Sequence, residues 1–260
     1  MNTFGGLLGQ WRKSRRVSQL ALAMQADVSA RHVSFLETGR AQPSRDMVML
    51  LCGILDIPIT ERNLLLQSAG FAPQYSRFDL SQPQMQPVVK AMEFLLTSHE
   101  PYPASVLDTN WNVLMSNRVH RRMLEWAAAQ NPLFPDTRNI LELIFDPNGL
   151  RPFIINWEEI ASLFLQRLYR ECILYQQRST ALLDRILQYP GIPEAWKKRG
   201  FTEDPRPVVN LLMQMGECRL SLFSVLSSFG TAIDLTTNEL VIEQFFPGDE
   251  ATARFFQSSQ

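Results

Sequence analysis

The sequence predicts a chain of two domains: an all-α N-terminal domain of five helices, then an α+β domain with a five-stranded antiparallel sheet and many helices. Three observations carry this reading. At 260 residues the chain is longer than one small domain and suits two. Its first seventy residues show only helical periodicity, punctuated by Ser, Asp and Gly at cap and turn positions. Residues 71–87, FAPQYSRFDLSQPQMQP, are rich in Pro, Gln and Ser and lack that periodicity. This is a linker composition, and it divides the chain into domains 1–70 and 88–260.

Each element has a local reason. Leu7, Leu8 and Trp11 recur at helical spacing and mark the first helix. Ser18 stands as the N-cap of SQLALAMQA, with Leu22 and Ala23 facing inward. After a short Asp27-Val28 turn, Ser29 caps ARHVSFLET, whose Val33 and Leu36 share a face, and Gly39 takes the C-cap place. Pro43-Ser44 opens a fourth helix, RDMVMLLCGILD, and Thr60 a fifth, ERNLLLQSA, closed by Gly70. Beyond the linker, VVKAMEFLLTSH is helical. PYPASVLDTNWNVLMSN reads as a β-hairpin turning at Thr109-Asn110, with Trp111, Val113 and Met115 alternating against Asn112, Leu114 and Ser116. Helices are expected over about 117–129, 139–145, 156–176, 178–189 and 193–199. Strands return in VVNLLMQM, RLSLFSVLSSFG and ELVIEQFF, and Pro247-Gly248 starts a last short helix. A strand pair, a helical block and three more strands assemble as one antiparallel sheet with helices over one face. The 2+3 order is what a PAS-like domain shows.

Composition excludes several classes. No apolar run is long enough to span a membrane. The N-terminus places its basic residues after a short apolar stretch, the reverse of a secretory signal. Cys52, Cys172 and Cys218 lie far apart, with neither metal spacing nor a disulfide framework, which fits a reducing, cytoplasmic setting. Neither a nucleophile elbow, a phosphate loop nor a metalloprotease helix is present, so no catalytic residue, metal ligand or cofactor is expected. His99-Glu100 reads as a helix-end polar pair, His120-Arg121-Arg122 as a solvated helix face, and Glu158-Glu159 as first-turn acids. Net charge is −1, but it is unevenly spread. Residues 1–70 carry eight Lys and Arg against five Asp and Glu, gathered at Arg12, Lys13, Arg15 and Arg16, an excess suited to phosphates.

The stretch from Ser18 to Ser44 carries the strongest chemical signal. Two short helices meeting at a tight turn need a small residue at the crossing, supplied by Ala23. They need a turn residue that tolerates unusual φ/ψ, supplied by Asp27, and apolar locks, supplied by Val28, Val33 and Leu36. The second helix then offers Arg31 for a bidentate contact to guanine, and Ala30 and Phe35 for a thymine methyl, Phe35 being equally readable as a core aromatic. His32 and Ser34 suit bases or phosphate, Ser29 and Gln19 the helix-start contacts, and Arg40 and Arg45 the phosphates beside the following loop. In the second domain the strands are apolar on both parities: Phe223, Val225 and Phe229 against Leu220, Leu222 and Leu226. Such strands need covering twice, by helices with a dimer partner or around an enclosed apolar ligand. Trp111, Phe223 and Phe245 are the aromatic candidates for such a pocket.

Ser18-Gln19, Leu22-Ala23, Val28-Ser29, Val33-Ser34 and Glu37 with Gly39 resemble the XRE or lambda-repressor-like helix-turn-helix, over residues 7–57. Asp27 stands where many relatives carry Gly. Glu37 resembles the family's structural acid, which orients a neighbouring Arg. The segments HEPYPASVLDTNWNVLMSN and FGTAIDLTTNELVIEQFFPGDEAT resemble the C-terminal domain of MmyB-like regulators, a bacterial group. Matching positions are Pro101-Tyr102-Pro103, Trp111-Asn112, Asn117, Trp157, Phe229-Gly230-Thr231, Asp234, Glu239, Glu243 and Phe245-Phe246-Pro247. The resemblance implies a homodimeric, DNA-binding transcriptional regulator whose PAS-like domain holds a fatty-acid-like apolar ligand. A C-terminal half serving only dimerisation or protein contact stays open beside it.

Overall fold

The computed structural model describes residues 3–76, 78–175, 180–197, 209–229 and 234–258. The chain divides into two compact units, Met1–Met85 with Gly230–Asn238, and Gln86–Phe229 with Glu239–Gln260.

Residues 3–70 of the first unit form α1 (Phe4–Ser14), α2 (Gln19–Gln25), α3 (Ala30–Glu37), α4 (Arg45–Ile54) and α5 (Ile59–Ser68). Four begin on a hydroxyl cap: Thr3, Ser18, Ser29 and Ser44 each accept an N–H from three residues on, an arrangement worth about 1 kcal/mol per cap. The fifth departs from expectation. It starts at Ile59, one residue before Thr60, behind Pro58, with no side-chain cap bond. Leu8, Leu22, Val33, Leu36, Val48 and Leu51 are wholly buried at the centre. Asp27 takes a left-handed φ of 52° and Gly39 one of 73°, the conformations that end α2 and α3 sharply. The stretch after α5 is tied down rather than loose. Asn63 Oδ1 accepts the N–H groups of Gln74 and Tyr75 at 2.9 and 3.0 Å, and its amide donates to the Tyr75 carbonyl.

The second unit starts with α6 (Gln86–Ser98), then β1 (Ala104–Leu107), β2 (Val113–Ser116), α7 (Arg118–Gln130) and α8 (Ile140–Phe145). The long α9 (Trp157–Tyr175), α10 (Thr180–Ile186) and α11 (Glu194–Lys197) follow. Then come β3 (Leu211–Met215), β4 (Cys218–Ser228), α12 (Leu235–Glu239), all but the last residue of which belongs to the first unit, β5 (Val241–Pro247) and α13 (Glu250–Ser258). The sheet is antiparallel throughout, in the order β2-β1-β5-β4-β3, the expected PAS-like arrangement. One face packs on α8 and α9, where Leu141, Phe145, Ala161, Leu165 and Leu168 are buried.

Two expectations are corrected, and one strand is left partly uncovered. The hairpin does not turn on two residues, and Trp111 and Asn112 lie outside β2. Asp108 Oδ1 accepts the N–H groups of both Asn110 and Asn112 at 2.8 and 2.9 Å, which opens a wider loop. Trp111 sits there at φ 67° with its ring turned into the core. His120 is not on a solvated face but only 6% exposed, because α7 turns it under the sheet while Arg121 and Arg122 face out. Strand β4 is not covered along its whole length. Its partner β3 pairs only with Cys218–Leu222, and Val225 and Leu226 remain 44% and 38% exposed.

Candidate functional site

Two places in the chain concentrate chemistry, one in each unit. In the first, the N–H of Val28 donates to the Ala23 carbonyl at 3.0 Å, closing the turn between α2 and α3. Val33 and Leu36 then fix the buried face of α3, which leaves Arg31 exposed and Ala30, His32, Ser34 and Phe35 partly so. The guanidinium carbons of Arg31 and Arg40 lie 5.0 and 6.0 Å from the Phe35 ring centre. Phe35 is thus neither a core residue nor a bare one. It is the half-buried platform that holds two cations over one helix face. Ser29 is spent on its cap bond to the N–H of His32 at 3.1 Å. Arg45 donates to Gln74 Oε1 at 3.3 Å.

A charged bracket stands behind α3. Arg12 donates from Nε to Glu37 Oε1 at 2.6 Å, from Nη2 to Oε2 at 3.0 Å, and from Nη1 to the Val17 carbonyl at 2.8 Å. Gln19 donates to Glu37 Oε2 at 2.7 Å, so its amide is partly committed to the protein. Burial pushes the Glu37 carboxyl up, but the hydrogen bonds from Arg12 and Gln19 outweigh that and hold it below the usual carboxylate range. This corrects the reading of the basic cluster as phosphate-binding throughout. Arg12 is locked to Glu37, and Arg15 donates to the carbonyls of Leu55 and Asp56 at 3.0 and 2.7 Å, finishing α4. Both cations serve the fold.

The second place is a cavity of about 380 Å³ inside the sheet-and-helix unit, within the range of small-molecule sites. Ile140, Ile144, Leu150 and Ile154 form one wall, and Leu211, Met213, Leu222 and Phe245 form the sheet side. From α9, Ile160, Leu163, Phe164, Arg167 and Arg170 line it at helical spacing, apolar first and cationic last. The polar lining is completed by His120, Ser224 and Glu243.

Glu243 is 4% exposed, opposite Ser105 of β1 and Leu226 of β4 in register. Burial pushes its carboxyl up to about 7, against the opposing pull of a Ser224 hydrogen bond and the Arg167 charge. Burial, with Arg121 adding to it, pushes His120 down to about 4, so its ring is neutral. His120 Nδ1 and Ser105 Oγ are buried with no hydrogen-bond partner among the described residues. Such groups are uncommon in folded proteins and call for an explanation.

Of the aromatic candidates, Phe245 and Phe223 border the cavity. Phe245 is pinned through its backbone, its N–H on the Pro103 carbonyl at 3.0 Å and its carbonyl accepting from His99 Nε2 at 2.7 Å. Phe223 stacks its ring on Phe246 with centres 5.5 Å apart. Trp111 does not line the cavity. It stands behind the wall, edge-on to Phe164 at 5.3 Å and under the Arg167 guanidinium at 4.5 Å, supporting two residues that do. Gly230 and Thr231 lie outside the described residues. Sequence reasoning passed over Arg167, Arg170 and His120 as lining groups. It noted Glu243 only as a family match, although a carboxylate in the middle of the apolar strand LVIEQFF was a readable signal.

A helix-turn-helix with an exposed reading helix, and a separate unit built around an internal cavity, together define a DNA-binding transcription regulator with a ligand-binding domain. Residues 88–258 match the MmyB-like transcription regulator ligand binding domain, and residues 3–65 match a helix-turn-helix domain. The chain belongs to the MmyB-like transcription regulators. These are families of regulators and DNA-binding domains, not of enzymes. No match is found among curated proteins. A solved structure, "Structure of an RNA-binding Light-Oxygen-Voltage Receptor", is similar over 96% of this chain and 62% of that chain, at 11% identity and a TM-score of 0.27. This chain therefore spans less than two thirds of that protein's length. Among the described residues, no helix is long and apolar enough to cross a membrane.

Proposed function

We propose that the chain is a homodimeric regulator that reads double-stranded DNA with α3 and senses a fatty-acid-like amphiphile in its C-terminal cavity. The functional division follows the sequence: residues 1–70 bind DNA, 71–87 connect, and 88–260 bind ligand and dimerise. The observation that carries the reading is the cavity, apolar along most of its wall and polar at Arg167, Arg170 and Glu243. A domain serving only dimerisation has no use for such a space, since an unfilled interior forfeits packing. On the DNA side, Arg31, with Ala30, Ser34 and Phe35, faces the bases. Gln19, Ser29, His32, Arg40 and Arg45 lie toward the backbone. One such helix reads too few base pairs for genomic specificity, which favours a two-fold dimer. A ligand that prefers one sensor arrangement shifts the population able to engage both half-sites.

Native mass spectrometry of the full chain purified from cells tests the ligand half. An added mass of a few hundred daltons that extracts as an acyl chain supports the reading. A clean apo mass, together with no thermal shift on adding C12–C18 fatty acids, sinks it.

A further inference from the structure

We propose that Glu243 is the specificity-determining residue of the cavity: a ligand carboxylate binds between Arg167 and Glu243 together with one proton, so that occupancy is coupled to proton uptake. The inference rests on the cavity being an amphiphile site, and it adds how the head group is held.

A polar head group has to find its partners among the few polar groups of the wall. The cavity's polar lining is Glu243, Ser224, His120, Arg167 and Arg170. Arg170 is exposed and Arg167 partly so, which makes the C-terminal part of the α9 stripe the solvent side of the cavity. Arg167 is the nearer cation to Glu243, whose carboxyl feels its charge. The Arg167 guanidinium is already steadied by Trp111 beneath it and by Glu171, which accepts from its Nε at 3.0 Å. A carboxylate drawn to Arg167 therefore arrives beside Glu243.

The groups facing Glu243 decide what happens next. From α9 there is Arg167, with Arg170 further along the same stripe. From α7 there is His120, from β4 the Ser224 hydroxyl, and from β1 Ser105, opposite in register. His120 is held neutral by burial and supplies no second positive charge. With Glu171 already pairing Arg167, the ligand carboxylate and Glu243 cannot both stay ionised against the positive charge that remains, and the two hold one proton between them. Burial has already brought Glu243 to where that proton is available near neutrality. The unpartnered His120 Nδ1 is a further buried polar atom on the same lining. Protonated Glu243 donates its O–H to the ligand carboxylate, and Arg167 donates N–H bonds to the same group. No covalent bond forms or breaks, and the proton comes from solvent.

The test is binding of dodecanoic acid and of 1-dodecanol to the full chain between pH 6 and 9. For the acid, affinity stays level up to about pH 7 and then falls about tenfold per pH unit, as uptake of one proton requires. The alcohol, which needs no proton, shows no such break. Glu243→Gln presents a permanent amide donor, and it binds the acid with affinity independent of pH. Ser224→Ala removes a hydrogen bond that favours the ionised carboxyl, and the break moves to higher pH. Acid binding in the wild type that is level from pH 6 to 9, or a Glu243→Gln profile that keeps the wild-type slope, overturns the coupling while leaving the amphiphile reading intact. Failure of both probes to bind at any pH overturns the amphiphile reading and this inference with it.

Discussion

Glu37 accepts from Arg12 through two nitrogens and from Gln19 through a third, so one carboxylate ties the start of α2 and the end of α1 to the end of α3. Removing it leaves a guanidinium with little exposure and no counter-charge. Glu37→Ala is expected to cost about 3–5 kcal/mol, read as faster amide exchange across residues 4–37. Because the Glu37 carboxyl is depressed in the folded protein, its contribution is complete above the ordinary carboxylate pKa and is lost as pH falls through the folded value. Glu37→Gln should therefore flatten the acid limb of that exchange. Arg31 lies at the opposite extreme, exposed and, among the described residues, in contact with the Phe35 ring rather than in a hydrogen bond or ion pair. Arg31→Ala is expected to weaken specific DNA binding by about 1–3 kcal/mol and leave binding to scrambled DNA nearly unchanged. Equal loss on both would remove Arg31 from base reading. At this scale Asp27 was legible because turn geometry constrains it locally, and Glu37 through its resemblance to a family's structural acid. The engagement of Arg12 was not, since nothing in a basic run reveals a partner 25 positions away.

Helix against helix, α1 packs tightly on α3. A Cβ on Gly5 would lie 2.4 Å from the Glu37 carbonyl oxygen and 2.5 Å from that of Leu36, both backbone atoms that have little room to move. Gly5→Ala is expected to force the helices apart at a cost of about 1–3 kcal/mol, visible as a lower urea midpoint for the N-terminal unit. An unchanged midpoint would show the contact to be soft. The helices were readable from caps and periodicity because both signals are local. The hairpin loop was not, because the Asp108 carboxylate competes for the backbone N–H groups that a two-residue turn would use. Helix α12 was missed beneath the apolar strand that follows it. Asp234, whose carboxylate accepts the Thr237 N–H at 2.9 Å, was its available cap signal.

Across the second unit, two buried titrating groups oppose one another. His120 is depressed to about 4, so the unfolded chain takes up its proton first, and stability is lost as pH falls from about 6.5 toward 4. Glu243 is raised to about 7, so its contribution is complete below about 4.5 and is lost as pH rises to 7. Between about 4.5 and 6.5 the two slopes cancel. Glu243→Gln removes one of them, and the unit's melting temperature should then climb with pH through that window while the wild type stays level; a parallel pair of curves would refute this. The PAS-like order of the whole sheet was legible from the sequence of elements, but the cavity was not, because its lining comes from residues as distant as Pro103 and Phe245. The sheet's order also has a consequence for biosynthesis. Strand β5 hydrogen-bonds to both β1 and β4, yet it is translated after every other strand. Until residues 241–247 leave the ribosome, the nascent chain has at most two separate hairpins, each marginal in isolation, and the cavity lacks its full sheet wall.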